Sequence, residues 1–216
     1  MKASLRIASA VLLVLGLGVA GAAPSSQVAW TPETLNLVKD GNPERGKQLA
    51  SSCQACHGDD AANAATPNPY LNAQLPTYLY RQLRDYKDGS RQHPVMSSIA
   101  AALSDQDMAD IAQWYSRQAP IEPKSDRDLP APTLVESGDS KRLIPPCGIC
   151  HGWGGRGEPV DTPRLSGQKA EYLIQTLTAY RSGERHNDIY RRMRAMSEWL
   201  SEEEVRTLAA YYANLK

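Results

Sequence analysis

All four cysteines of this 216-residue chain fall within two copies of one five-residue pattern, Cys53-Gln54-Ala55-Cys56-His57 and Cys147-Gly148-Ile149-Cys150-His151. No other feature restricts the possible folds so tightly. C-x-x-C-H is the attachment pattern for c-type haem. Two cysteines one helical turn apart reach the two vinyl groups of a single porphyrin and form thioethers. The adjacent histidine is then held beneath the iron as its proximal ligand. A structural zinc site would need four ligands per metal, and no further cysteine exists. A thioredoxin-like pair belongs in a βαβ setting, which is absent here. Disulfides are ordinary in exported proteins, but this placement argues against them. The expectation is two covalently bound haem c groups, one on Cys53 and Cys56 with His57 on iron, the other on Cys147 and Cys150 with His151 on iron.

The second motif follows the first by 94 residues, and the same offset keeps matching beyond it. Pro69 and Leu71 correspond to Pro163 and Leu165, Gln74 to Gln168, and Tyr78-Leu79 to Tyr172-Leu173. Tyr86, Gly89 and Arg91 correspond to Tyr180, Gly183 and Arg185. The second copy then gains three residues, after which Met96 matches Met193, Leu103-Ser104 matches Leu200-Ser201, and Trp114-Tyr115 matches Tyr211-Tyr212. Local signals repeat as well. Leu75, Leu79, Leu83 and Tyr86 recur at helical spacing, with Gly89 placed to end the helix, and Tyr172, Leu173, Leu177 and Tyr180 before Gly183 do the same. Ser104 with Asp107 and Ser201 with Glu204 read as capping boxes that open the last helix of each copy. Those helices carry apolar stripes at 108, 111, 112, 115 and at 205, 208, 209, 212. The fold class is therefore all-α, with two tandem duplicated domains, each wrapped around one haem.

The chain opens with Lys2, Arg6, an apolar run over 7–19 and Ala20-Gly21-Ala22, which reads as a signal peptide over 1–22. The run is shorter than the ~20 residues a bilayer span needs. The mature chain is thus expected to be exported to the periplasm without a membrane span. Removing Lys2 and Arg6 from 24 basic and 24 acidic residues leaves a net charge of −2, which gives no electrostatic case for nucleic acid. Residues 23–42 read as an N-terminal extension, with Thr31-Pro32-Glu33 as the start of a short extra helix. Residues 43–118 form the first domain, the proline-punctuated 119–132 a linker, and 133–216 the second domain. Ile144-Pro145-Pro146 restricts the first helix of the second domain to about 133–137.

Four methionines remain in the mature chain as candidates for the sixth iron ligand. Met108 lies on the apolar stripe of its helix and reads as core. Met96 and Met193 each precede the matched Leu-Ser by seven residues, whereas Met196 aligns with Ile99, a packing position. Met96 and Met193 are the expected ligands. Ligation by His93 or His186 instead is the less favoured alternative, with surface or supporting roles preferred.

Taken together, C-x-x-C-H-G, P-x-L-x-x-Q (Pro69 to Gln74, Pro163 to Gln168), the tyrosine-bearing helix, the G-x-R loop and Met seven residues before Leu-Ser resemble the diheme cytochrome c4 family. The resemblance runs from Pro43 to Lys216. It implies two class I cytochrome c folds related by pseudo-symmetry, with the Pro69 and Pro163 carbonyls orienting the proximal imidazoles. It also implies a periplasmic electron carrier, not an enzyme, whose partners are redox proteins: a respiratory donor, and a terminal oxidase or other acceptor. The alternatives are a haem subunit of a dehydrogenase complex, with the extension as docking segment, or a diheme peroxidase or thiosulfate-oxidising enzyme. Arg181, Arg185, Arg191, Arg192 and Arg194 crowd around Met193, and read equally as a solvated face or as a positive rim for an acidic partner.

Overall fold

The computed structural model describes residues 25–58, 66–123 and 129–216. The expected signal peptide and residues 124–128 of the linker lie outside them. Every element among the described residues is helical apart from two isolated bridges. The extension forms α1 (Pro32–Lys39), capped by Thr31. The first copy follows with α2 (Pro43–Leu49), α3 (Gln54–His57), α4 (Pro76–Asp88), α5 (Pro94–Ala101) and α6 (Asp105–Ser116). The second copy contains α7 (Thr133–Glu136), α8 (Cys147–His151), α9 (Ala170–Ser182), α10 (Arg192–Ser197) and α11 (Glu202–Asn214). As expected, α7 is a single turn.

Both capping boxes form, Ser104 with Asp107 and Ser201 with Glu204. Gly89 and Gly183 end α4 and α9 in the left-handed region at φ 84° and 78°, a conformation that a Cβ would strain. Each copy buries its own core. Met108, Ile111, Ala112 and Tyr115 of α6 meet Leu79 and Tyr80 in the first. Val205, Leu208, Ala209 and Tyr212 of α11 meet Leu134, Ile144 and Leu173 in the second. In the first copy α2 packs directly on the backbone of α6, at Gly46 against the Asp110 carbonyl, and Arg45 pairs with Asp107 and Asp110 across the same seam.

Met96 and Met193 lie within short helices, α5 and α10. Met196 packs on the second core, and its counterpart Ile99 is 43% exposed in the protein alone. The extension is not a free docking segment. Val38 is buried in the first core and its carbonyl accepts from Gln113 Nε2 at 2.7 Å. Trp30 Nε1 donates to Asp161 of the second copy at 2.9 Å.

The copies meet through buried polar groups. Arg81 pairs with Asp161 at 3.1 Å, both side chains under 10% exposed. Asn187 bridges Gln82 and Asp85 at 3.0 and 2.6 Å. Removing one member of a buried pair such as Arg81–Asp161 typically costs about 3–5 kcal/mol, because the remaining charge stays desolvated. This interface therefore holds one mutual orientation of the copies.

Candidate haem sites

Each motif occupies one short helix. In α8, and in α3 with Cys53 as its N-cap, the cysteines stand one turn apart with the histidine at the end of the helix, and no disulfide joins the four sulfurs. Among the described residues no group of three His, Cys, Asp or Glu side chains is placed to hold a metal ion. His57 Nδ1 lies 2.8 Å from the Pro69 carbonyl and His151 Nδ1 lies 2.9 Å from the Pro163 carbonyl. A carbonyl only accepts, so Nδ1 carries the proton and Nε2 is left with a lone pair. Burial pushes both imidazoles below their usual pKa; the carbonyl bonds oppose this, and nearby cations act with burial. Both rings are thus neutral, ligand-ready bases at neutral pH.

His93 is the N-cap of α5, its Nδ1 accepting from Met96 N at 3.3 Å, and Arg192 precedes Met193 in α10. Both methionines are half-buried, while Met108 is fully buried in the first core.

The residues fit a haem in a second way. A haem carries two propionates, and the copies bring two arginines together at their interface with no carboxylate partner among the described residues. Arg91 stacks on Tyr86 and donates to the Tyr172 hydroxyl at 3.3 Å. Arg185 stacks on Tyr180 and donates to the Tyr78 hydroxyl at 3.1 Å. The pattern is reciprocal, since the same two positions exchange roles between copies. Burial raises the Tyr172 phenol, yet the two guanidinium charges outweigh it and bring the pKa below its ordinary value. Arg185 Nη1 is buried with no hydrogen-bond partner, a donor that suits a carboxylate.

Of the five arginines around Met193, three face inward. Arg181 donates to the Leu200 carbonyl, Arg185 lies in the interface, and Arg194 pairs with Asp188 at 2.6 Å. Only Arg191 and Arg192 are exposed, and Arg191 makes a loose 3.7 Å pair with Glu198. They sit on the segment that the second copy gained. There Tyr190 and Arg191 both adopt φ 57°, and Tyr190 is 87% exposed. The sequence reading missed the interface roles of Gln74, Gln168, Tyr78 and Tyr172. Their only signal was recurrence at the 94-residue offset.

The comparisons with known proteins agree with this geometry. The family model "Cytochrome c" matches residues 43–116 and 140–216. A cytochrome c4 of Azotobacter vinelandii is 33% identical over 218 residues, covering 95% of this chain and 97% of that protein. A thiosulfate dehydrogenase electron acceptor of Stutzerimonas stutzeri (strain A1501) is 37% identical over 172 residues, covering 77% of this chain and 80% of its own length. Reduced recombinant cytochrome c4 from Pseudomonas stutzeri superposes with a TM-score of 0.72 at 33% identity, covering 82% of this chain and all of that one.

Proposed function

The chain belongs to the cytochrome c family and within it to the diheme cytochromes c4, and on that footing we propose that it is a periplasmic carrier passing single electrons between a respiratory donor and an acceptor such as a terminal oxidase. A bound haem supplies the one-electron Fe(III)/Fe(II) couple. The chain does the rest. Cys53, Cys56, Cys147 and Cys150 hold the two groups covalently, so neither is lost outside the cytoplasm. His57 and Met96 would hold the iron in the domain over 43–118, and His151 and Met193 would hold it in the domain over 133–216. A thioether ligand favours the reduced state and raises the potential relative to a second histidine. The observation that carries the reading is the matched Nδ1-to-carbonyl bond in both copies, which commits each histidine to offering Nε2. Were each histidine–methionine pair to hold its iron, little room would be left there for a substrate, which favours a carrier over a catalyst. No helix among the described residues is long and apolar enough to cross a membrane.

The test is ligand binding to the reduced protein. A carrier with two six-coordinate irons leaves its visible spectrum unchanged under carbon monoxide at neutral pH. Stoichiometric uptake at either haem would instead indicate a peroxidase-like or other enzymatic site.

A second reading, favoured by 37% identity to a protein named thiosulfate dehydrogenase electron acceptor, makes a dehydrogenase the donor. Rapid reduction by a purified thiosulfate dehydrogenase, compared with quinol-oxidising donors, decides between them. In either case Arg191 and Arg192 steer an acidic partner toward the second domain. Two left-handed non-glycine residues cost about 1–2 kcal/mol each, yet this turn displays one tyrosine and two arginines. Arg191→Glu combined with Arg192→Glu should slow bimolecular electron transfer about tenfold at low salt and flatten its salt dependence, leaving both haem spectra intact. Unchanged rates with both donor and acceptor would assign the pair to the solvated surface.

A further inference from the structure

We propose that Gln74 and Gln168 each tune the haem of the opposite domain, by hydrogen bonding to the peptide unit whose carbonyl anchors that haem's histidine. This rests on the reading of His57 and His151 as iron ligands. The peptide between Pro69 and Tyr70 has both ends engaged. Its carbonyl accepts from His57 Nδ1 at 2.8 Å, and its N–H donates across the interface to Gln168 Oε1 at 2.9 Å. The peptide between Pro163 and Arg164 does the same, with His151 Nδ1 at 2.9 Å and Gln74 Oε1 at 2.8 Å. Each glutamine also donates from Nε2 to the next carbonyl, Gln168 to Tyr70 at 2.9 Å and Gln74 to Arg164 at 3.0 Å. The orientation of each carboxamide is fixed by a third bond. Oε1 accepts from the following backbone N–H, Leu75 or Lys169, both at 3.0 Å. Both side chains are buried, and both sit at the same place in the repeat.

Two pairs of hydrogen bonds would suffice to glue the domains. Their attachment point does more. When an amide N–H donates a hydrogen bond, electron density shifts toward its own carbonyl oxygen, strengthening that oxygen as an acceptor. A stronger acceptor draws on the Nδ1 proton and makes the imidazole a more basic ligand, which stabilises Fe(III) over Fe(II). Gln168 therefore lowers the potential of the first haem, and Gln74 that of the second. These are positioning residues, acting through a peptide and a histidine. The signature is crossed: a substitution in one domain is felt at the iron of the other.

The test uses the intact diheme protein with Gln168→Leu and, separately, Gln74→Leu. An NMR-followed redox titration resolves the two haems by their methyl signals. Gln168→Leu should raise the potential of the first haem, lowering its oxidised-to-reduced ratio at a fixed ambient potential about threefold, roughly 30 mV at 59 mV per tenfold for one electron, with the second haem unmoved. Gln74→Leu should give the mirror image. In the reduced protein the His57 Nδ1–H resonance should move upfield in Gln168→Leu while that of His151 stays. Equal shifts at both haems, a shift confined to the substituted domain, or no shift would reduce the glutamines to interface glue. If wild-type protein lacks the histidine–methionine spectrum at either centre, the ligand reading itself fails. If that spectrum is present and the crossed shift is not, only the tuning fails.

Discussion

Met193→Ala should remove about half of the near-infrared absorption that marks methionine-ligated ferric haem and open one iron to carbon monoxide. Met196→Ala should leave that band whole. The two residues are three apart on one short helix, so composition and burial alone do not separate them. Met196 packs against the second core, whereas Met193 matches Met96 in standing seven residues before the repeated Leu-Ser. Met196→Ala should consequently act on stability, by about 2 kcal/mol for a partly buried methionine reduced to alanine. Loss of the band in Met196→Ala with retention in Met193→Ala would reverse the assignment and shift the repeat register by three residues.

The second large effect concerns packing and leaves the iron chemistry alone. Gly46→Ala should destabilise the first domain by about 3 kcal/mol or more, because the added carbon would stand 2.0 Å from the Asp110 carbonyl oxygen. The obstruction is helix backbone, so no side chain can turn aside. α2 would have to move off α6, disturbing the Arg45 pairs and the N–H of Asn42 that donates to Asp110 at 2.7 Å. Gly89→Ala supplies the contrast. Nothing lies within 4 Å of its added carbon, yet φ is 84°, so the cost should be about 1 kcal/mol of backbone strain. Chemical denaturation followed at the first haem measures both, and equal effects would mean that α2 shifts freely.

What could be read from the residues was whatever repeats or caps locally. C-x-x-C-H fixes its own chemistry within five positions, and Ser104 and Ser201 announce helix starts through partners three residues on. The apolar stripes of α6 and α11 are likewise one-helix properties. The interface was not legible, because its contacts join positions about 100 residues apart that carry no local signature. Gln74 and Gln168 appeared only as a matched pair. That each reaches into the other copy follows from the way the copies pack. The extension misled for a related reason. Its Pro-capped helix was readable, but Val38 in one core and Trp30 on Asp161 of the other copy depend on surfaces that exist only after folding.

The glutamine exchange also bears on how this chain can diverge. In a symmetric pair of identical subunits every substitution at the contact is made twice, and a harmful one breaks both halves together. Here the two halves are encoded separately, so one seal can change while its twin still holds the domains in place. Lys169 is an instance already present. It occupies the position matched by Leu75, donates to the Thr66 carbonyl at 3.3 Å and lies over the Tyr70 ring, placing near His57 a positive charge that the matched Leu75 cannot supply to the other copy. Fusion has made the two ends of the molecule separately adjustable, so a gradient between two haems of common origin can arise one residue at a time.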